Sequence, residues 1–187
     1  MSDFKSESAA QAAAAIVEDG LDYQSAKRRA YEALTGHRGS HVRHEALPSN
    51  DQVQAAIREH LALYEPQAHP ERLRARQSSA LRLMALLQPF EPWLMGALAE
   101  GLALPHSGLQ LACVGESAKE MGIELLNHGL DAEATELPNP VGPGLVEALQ
   151  FEWEDLPTTI RIVPRASGLR NLGGLQWSEL QDRLKGD

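Results

Sequence analysis

The spacing of apolar residues changes character once along this chain, and that change constrains the fold more than any other feature. Up to Pro89 the apolar positions recur every three to four residues, whereas after Pro92 short runs alternate every two. Helices and strands bury different stripes of sequence, so the first stretch must be helical and the second must contain a sheet. The expected class is α+β: a helical region over residues 1–88, then over 89–187 a small mixed sheet with flanking helices, the two packed as one compact unit.

Residues 6–18 are mostly alanine with Ile16 and Val17, strong helix formers that offer a narrow packing surface, and Gly20 ends the run. Asp22 is placed to cap a second helix carrying Tyr23, Ala26, Ala30 and Leu34 as far as Gly36, which makes a helical hairpin. Residues 36–50 have no apolar period and read as a loop. Ser49 and Gln52 form a capping box ahead of Val53, Ile57, Leu61 and Tyr64, and Pro70 opens a fourth helix lined by Leu73, Gln77, Ala80, Met84 and Leu87.

In the second stretch Leu109–Val114 alternates as a strand, with Leu109, Leu111 and Cys113 expected on one face. Ser117–His128 is helical and closes at Gly129. Val146–Trp153 and Thr158–Val163 are joined by a short link that favours an antiparallel hairpin, and Gln176–Leu184 reads as a terminal helix. Leu137–Gly144 holds three prolines and two glycines and reads as a flexible connection.

Composition narrows the function classes. The 187 residues are 43% apolar and 23% charged, the balance of an ordinary globular chain. A formal net charge of -9 repels nucleic acid unless cations gather on one face. Arg72, Arg74, Arg76 and Arg82 spread around their helix instead, and Lys27, Arg28 and Arg29 read as a solvated face. Cys113 is the single cysteine, so no intramolecular disulfide can form. No apolar run approaches the roughly 18 residues of a membrane span and no leader pattern opens the chain. A cytoplasmic protein with no membrane partner is expected.

Residues 94–114 read LMGALAEGLALPHSGLQLACV. This segment resembles the nucleotidyltransferase signature, in which a Gly-Ser pair at the end of one strand is followed by a turn and a second strand bearing Asp-x-Asp. Laid on that pattern without a gap, Gly96 and Ala97 fall on Gly-Ser, Gly101 and Ala103 on the intervening small residues, and Ser107, Gly108, Leu109, Gln110 and Leu111 on Ser-Asp-Ile-Asp-Leu. The resemblance implies a minimal nucleotidyltransferase-like domain, of the kind found in small bacterial proteins that often pair with a helical partner protein.

In that family the two aspartates project from one strand face and hold magnesium beside the nucleotide phosphates. Here Gly108 offers no ligand and Gln110 only a neutral amide, a poor ligand for a hard cation. Ala97 lacks the hydroxyl of the family's serine, and Glu100 stands where arginine is frequent. The resemblance therefore implies a degenerate site with no catalytic residue, no metal and no resident cofactor. Backbone amides after Gly96 can still hold an anion, so nucleotide binding survives in weakened form. Aspartates restored at 108 and 110, with Glu100 neutralised, are expected to create magnesium-dependent nucleotide binding.

The functional expectation is a non-catalytic binding or regulatory protein whose partner is another protein or a nucleotide. An enzyme with an atypical site would draw on Glu116 or on the residual acids Glu147 and Glu152, which differ by an odd number of residues and so belong to opposite strand faces. A third reading is a structural oligomer that uses the alanine-rich hairpin. His37, His41 and His44 with Glu45 match no ordinary metal spacing and stand beside Arg38 and Arg43, so a solvated loop is the simpler reading. His106 has no carboxylate near it in sequence and reads as a turn residue, and Cys113 as a buried small side chain.

Overall fold

A computed structural model of the chain describes residues 2–36 and 46–186, so the segment with His37, His41, His44 and Glu45 lies outside the described residues. The chain divides into two compact units, one of residues 1–70 with 104–106, the other of residues 71–103 with 107–187. Among the described residues no helix is long and apolar enough to cross a membrane.

In the first unit, α1 (Ser2–Asp19) and α2 (Tyr23–Thr35) form the expected hairpin. Gly20 turns the chain at a φ of +69°, and the Asp22 carboxylate accepts from the backbone N–H groups of Gln24 and Ser25 at 2.9 and 3.0 Å. Gly36 closes α2 in the left-handed conformation. The capping box is complete at the start of α3 (Asn50–Tyr64): Ser49 Oγ accepts from the Gln52 amide, and Gln52 Oε1 accepts from the Ser49 amide. Alanine supplies much of the core here, with Ala12, Ala13 and Ala26 packed alongside Val53 and Ile57, all fully buried. His106 belongs to this unit, its ring lying 3.2 Å from where a side chain at Gly20 would begin.

α4 (Ala68–Leu86) belongs, from Glu71 onward, to the second unit. Its apolar stripe of Ala80, Leu83 and Met84, continued by Leu87, packs in one cluster with the sheet, which is why the division falls at Pro70 and not where the apolar period changes. A 3₁₀ turn at Gln88–Phe90 leads into β1 (Trp93–Leu94), α5 (Gly96–Ala99) and β2 (Leu109–Val114). Then come α6 (Ala118–Asn127), β3 (Glu133–Pro138), β4 (Leu145–Trp153), β5 (Leu156–Val163), a 3₁₀ turn at Arg170–Leu172, β6 (Leu175–Gln176) and α7 (Trp177–Gly186). The sheet order is β3-β4-β5-β2-β1-β6, with β2 and β5 parallel and the other neighbours antiparallel. The α+β class with a mixed sheet and flanking helices is the one observed.

β4 and β5 meet in a hairpin whose two turn residues, Glu154 and Asp155, both have positive φ, the conformation that matches strand twist. Leu137 and Pro138, expected in a flexible connection, are instead the end of β3. The chain then turns through hydrogen bonds from the Asn139 amide to the Gly144 carbonyl and from the Val141 amide to the Asn139 side chain, each 3.0 Å. Proline fits there because β3 is the edge strand of the sheet, with no neighbour on its outer side among the described residues.

Side chains alternate across β2 as the sequence requires. Leu109, Leu111 and Cys113 face the helices with Leu149, Ile160 and Ile162, while Ala112 joins Trp93, Met95, Val163 and Leu169 on the opposite face. That opposite face is only partly covered, by residues around Val141 and Ala166–Leu169.

Candidate functional site

The signature frame occupies the centre of the sheet. Met95 joins β1 to Gly96, the first residue of α5, and its amide donates to the Gln110 carbonyl at 2.8 Å, pinning the strand end to β2. Gly96 has a φ of +69°, and a side chain added there would begin 3.4 Å from Gln110 Oε1, so the Gln110 carboxamide lies against the first residue of α5. The fold thus brings Gly96 and Gln110 together across 14 positions of sequence.

Both residues line a cavity of about 350 Å³ on the partly covered face. Its lining also includes Met95, Ala112, Arg161, Asn139 and Leu172. Gly108 is not part of this lining. A Cβ at position 108 would stand 1.9 Å from the Pro157 carbonyl oxygen, so only glycine allows β5 to approach β2 there. Ser107 precedes that contact and is likewise outside the lining, and Ala97 is half-buried within α5.

Arg161 is the residue that sequence reasoning passed over. On β5 it lies opposite Ala112 of β2 and Ala148 of β4, so a long cationic side chain rises between two methyl groups. It is half-buried, and it has no hydrogen bond or ion pair with any described residue. Burial lowers its pKa, yet a guanidinium keeps its proton at any physiological pH. The signal for it was the one cation interrupting the apolar alternation of the run TTIRIV.

The two acids on β4 point away from each other, as their odd spacing demands. Glu147 lies on the helix side and accepts from the Ala118 amide at the start of α6. Glu152 is exposed opposite Pro157, on the face of Arg161 but four residues along the paired strand. Neither lines the cavity, and Glu116 is exposed in the loop after β2. Among the described residues no three His, Cys, Asp or Glu side chains are grouped so as to hold a metal ion. The donor set of the frame, glycine without room for a side chain, a neutral amide and a nearby guanidinium, does not fit the magnesium ions that the nucleotidyltransferase resemblance implies.

The remaining candidates have structural partners. Cys113 is fully buried, which pushes its thiol pKa up. His106 Nε2 lies 3.1 Å from the Glu18 carbonyl. Arg72 donates to the Ala103 carbonyl at 2.7 Å and Arg82 pairs with Glu154 at 2.5 Å, so these two arginines of α4 serve internal contacts.

No protein-family model matches the chain, and no curated protein matches it. Solved structures do. Cid1 in complex with the UTP analogue UMPNPP aligns with a TM-score of 0.40 and 16% identity, covering 62% of this chain and 36% of that one. A further Cid1 poly(U) polymerase crystal structure gives 0.40 and 17% over 61% and 36%. A cytoplasmic RNA terminal U-transferase gives 0.34 and 21% over 60% and 32%. The chain spans about a third of the length of these solved chains.

Proposed function

We propose that this is a non-catalytic, nucleotidyltransferase-like binding protein of the cytoplasm that takes an anionic ligand, a nucleotide, in the sheet-face cavity without a metal ion. The observation that carries this reading is Arg161: a half-buried cation with no described partner, facing a cavity beside Gln110 and Gly96. Burying a charge without a counter-charge is unfavourable, and a phosphate restores the balance. The same guanidinium repels a divalent cation, so anion binding and metal binding are opposed at this position.

The Gln110 carboxamide can donate to a phosphate oxygen or accept from a base, and Asn139 in the same lining adds a second group of that kind. Among the described residues no carboxylate lines the cavity to activate a hydroxyl, which supports binding without transfer. The test is thermal shift with nucleoside triphosphates, with magnesium or with chelator. A ligand at 100 times its Kd stabilises the protein by about 2.7 kcal/mol. The expected result is a shift that persists in chelator and is lost in Arg161→Gln. Transfer of label from a triphosphate to any acceptor, dependent on Glu147 or Glu152, would overturn the non-catalytic reading.

A further inference from the structure

The first unit carries an open groove, of about 630 Å³, between α1 and α3. Its floor is made by Ala10, Ala14 and Ala56, side chains short enough to let a third helix approach closely. Leu63 and Tyr64 border it at the end of α3 and are 71% and 68% exposed, an unusual degree for two large apolar residues side by side. The wall is ordered internally, because the His60 ring packs against Tyr64, centroids 4.6 Å apart and planes tilted by 44°, and reaches to 3.5 Å from the Glu18 carboxylate on α1.

Charge decides the occupant. The lining includes Glu7, Glu18 and Glu59 and neither lysine nor arginine. Glu7 and Glu59 form no ion pair with any described residue. A second copy of the chain would set glutamates against glutamates, which opposes self-association through this face. We propose that the groove receives a basic amphipathic helix of another protein, its apolar stripe on the alanines and Leu63 and its lysines or arginines on the three glutamates. From Glu7 to Glu18 the groove runs about 16 Å along α1, or roughly three helical turns. This surface is independent of the sheet-face cavity.

The test uses the full chain and a fluorescein-labelled synthetic peptide of roughly 18 residues, leucines on one face and flanking lysines, with a glutamate-flanked peptide as its counterpart. Anisotropy should show saturable binding of the lysine peptide only, weakened at least about tenfold by Leu63→Ser with Tyr64→Ser. A second variant, Glu7→Gln with Glu18→Gln and Glu59→Gln, should weaken binding and flatten its salt dependence, and it leaves the apolar floor intact. Both sets of side chains are on the surface, and circular dichroism is the control that each variant retains its helix content. Absence of binding, equal affinity for the two peptides, or indifference to both variants would overturn the proposal. So would a concentration-dependent dimer that Leu63→Ser disperses.

Discussion

Arg161 and Gly108 make opposite demands on a single side chain. Removing the Arg161 charge by Arg161→Gln relieves the cost of holding it half-buried, so the ligand-free protein should gain stability by up to about 1 kcal/mol while its nucleotide response disappears. Paired melting curves with and without nucleotide read both effects at once. Gly108→Ala should do the reverse, since a methyl 1.9 Å from the Pro157 oxygen forces β2 and β5 apart. A loss of roughly 1–3 kcal/mol is expected in urea denaturation, as for other overpacked sites. Glu154 supplies a third residue-level prediction. Hydrogen bonds from Arg82, with a further one from Ser79, hold its carboxyl at about 2 against an ordinary value of 4.5. A depressed carboxylate contributes above its unfolded pKa and ceases to contribute as pH falls through the folded one. Arg82→Gln should therefore destabilise at pH 7 and be near neutral at pH 2, the difference staying within about 1 kcal/mol because the pair is exposed.

At the level of elements, β2 shows what sequence pattern can deliver. Leu111→Ala should cost about 2–5 kcal/mol in chemical denaturation, because Leu111 is fully buried in the cluster that α4 and α6 close over. That burial is why LQLACV was readable as a strand: a residue packed on one side and near-packed on the other leaves an apolar alternation. β3 left no such mark. It is an edge strand with Glu133, Ala134, Glu136 and Pro138 exposed, and charge and proline on an edge are what discourage further pairing. β1 and β6 are two residues each, too short for any period. The helices of the first unit were legible because caps act locally: Asp22→Ala, which removes two carboxylate contacts, should cost about 1 kcal/mol. The site was legible in part. The frame set Gly96 at a strand end and Gln110 on a second strand, whereas their contact and the approach of Arg161 to the cavity through the β2 and β5 pairing arise only in the fold.

Across the whole molecule, the two proposed surfaces sit in one field of net charge -9 and should answer salt differently. An anion approaching the cavity is repelled by the chain at long range and attracted by Arg161 at short range. Raising ionic strength to about 0.3 M screens both, so nucleotide affinity should change little. The basic helix is attracted at both ranges, and its affinity should fall steeply over the same span. Calorimetric titrations at two salt concentrations distinguish these behaviours.

The contact between Gly108 and Pro157 also fixes which positions an engineer can address. A metal centre cannot be installed within β2 by aspartates at 108 and 110, because the first of these sites has no volume for a side chain. The addressable neighbours are Gln110 and Thr159, which face each other across the parallel pair of β2 and β5 at the usual strand spacing of about 4.8 Å. Two carboxylates there would share the sheet face with Arg161, so any such rewiring must silence the guanidinium first.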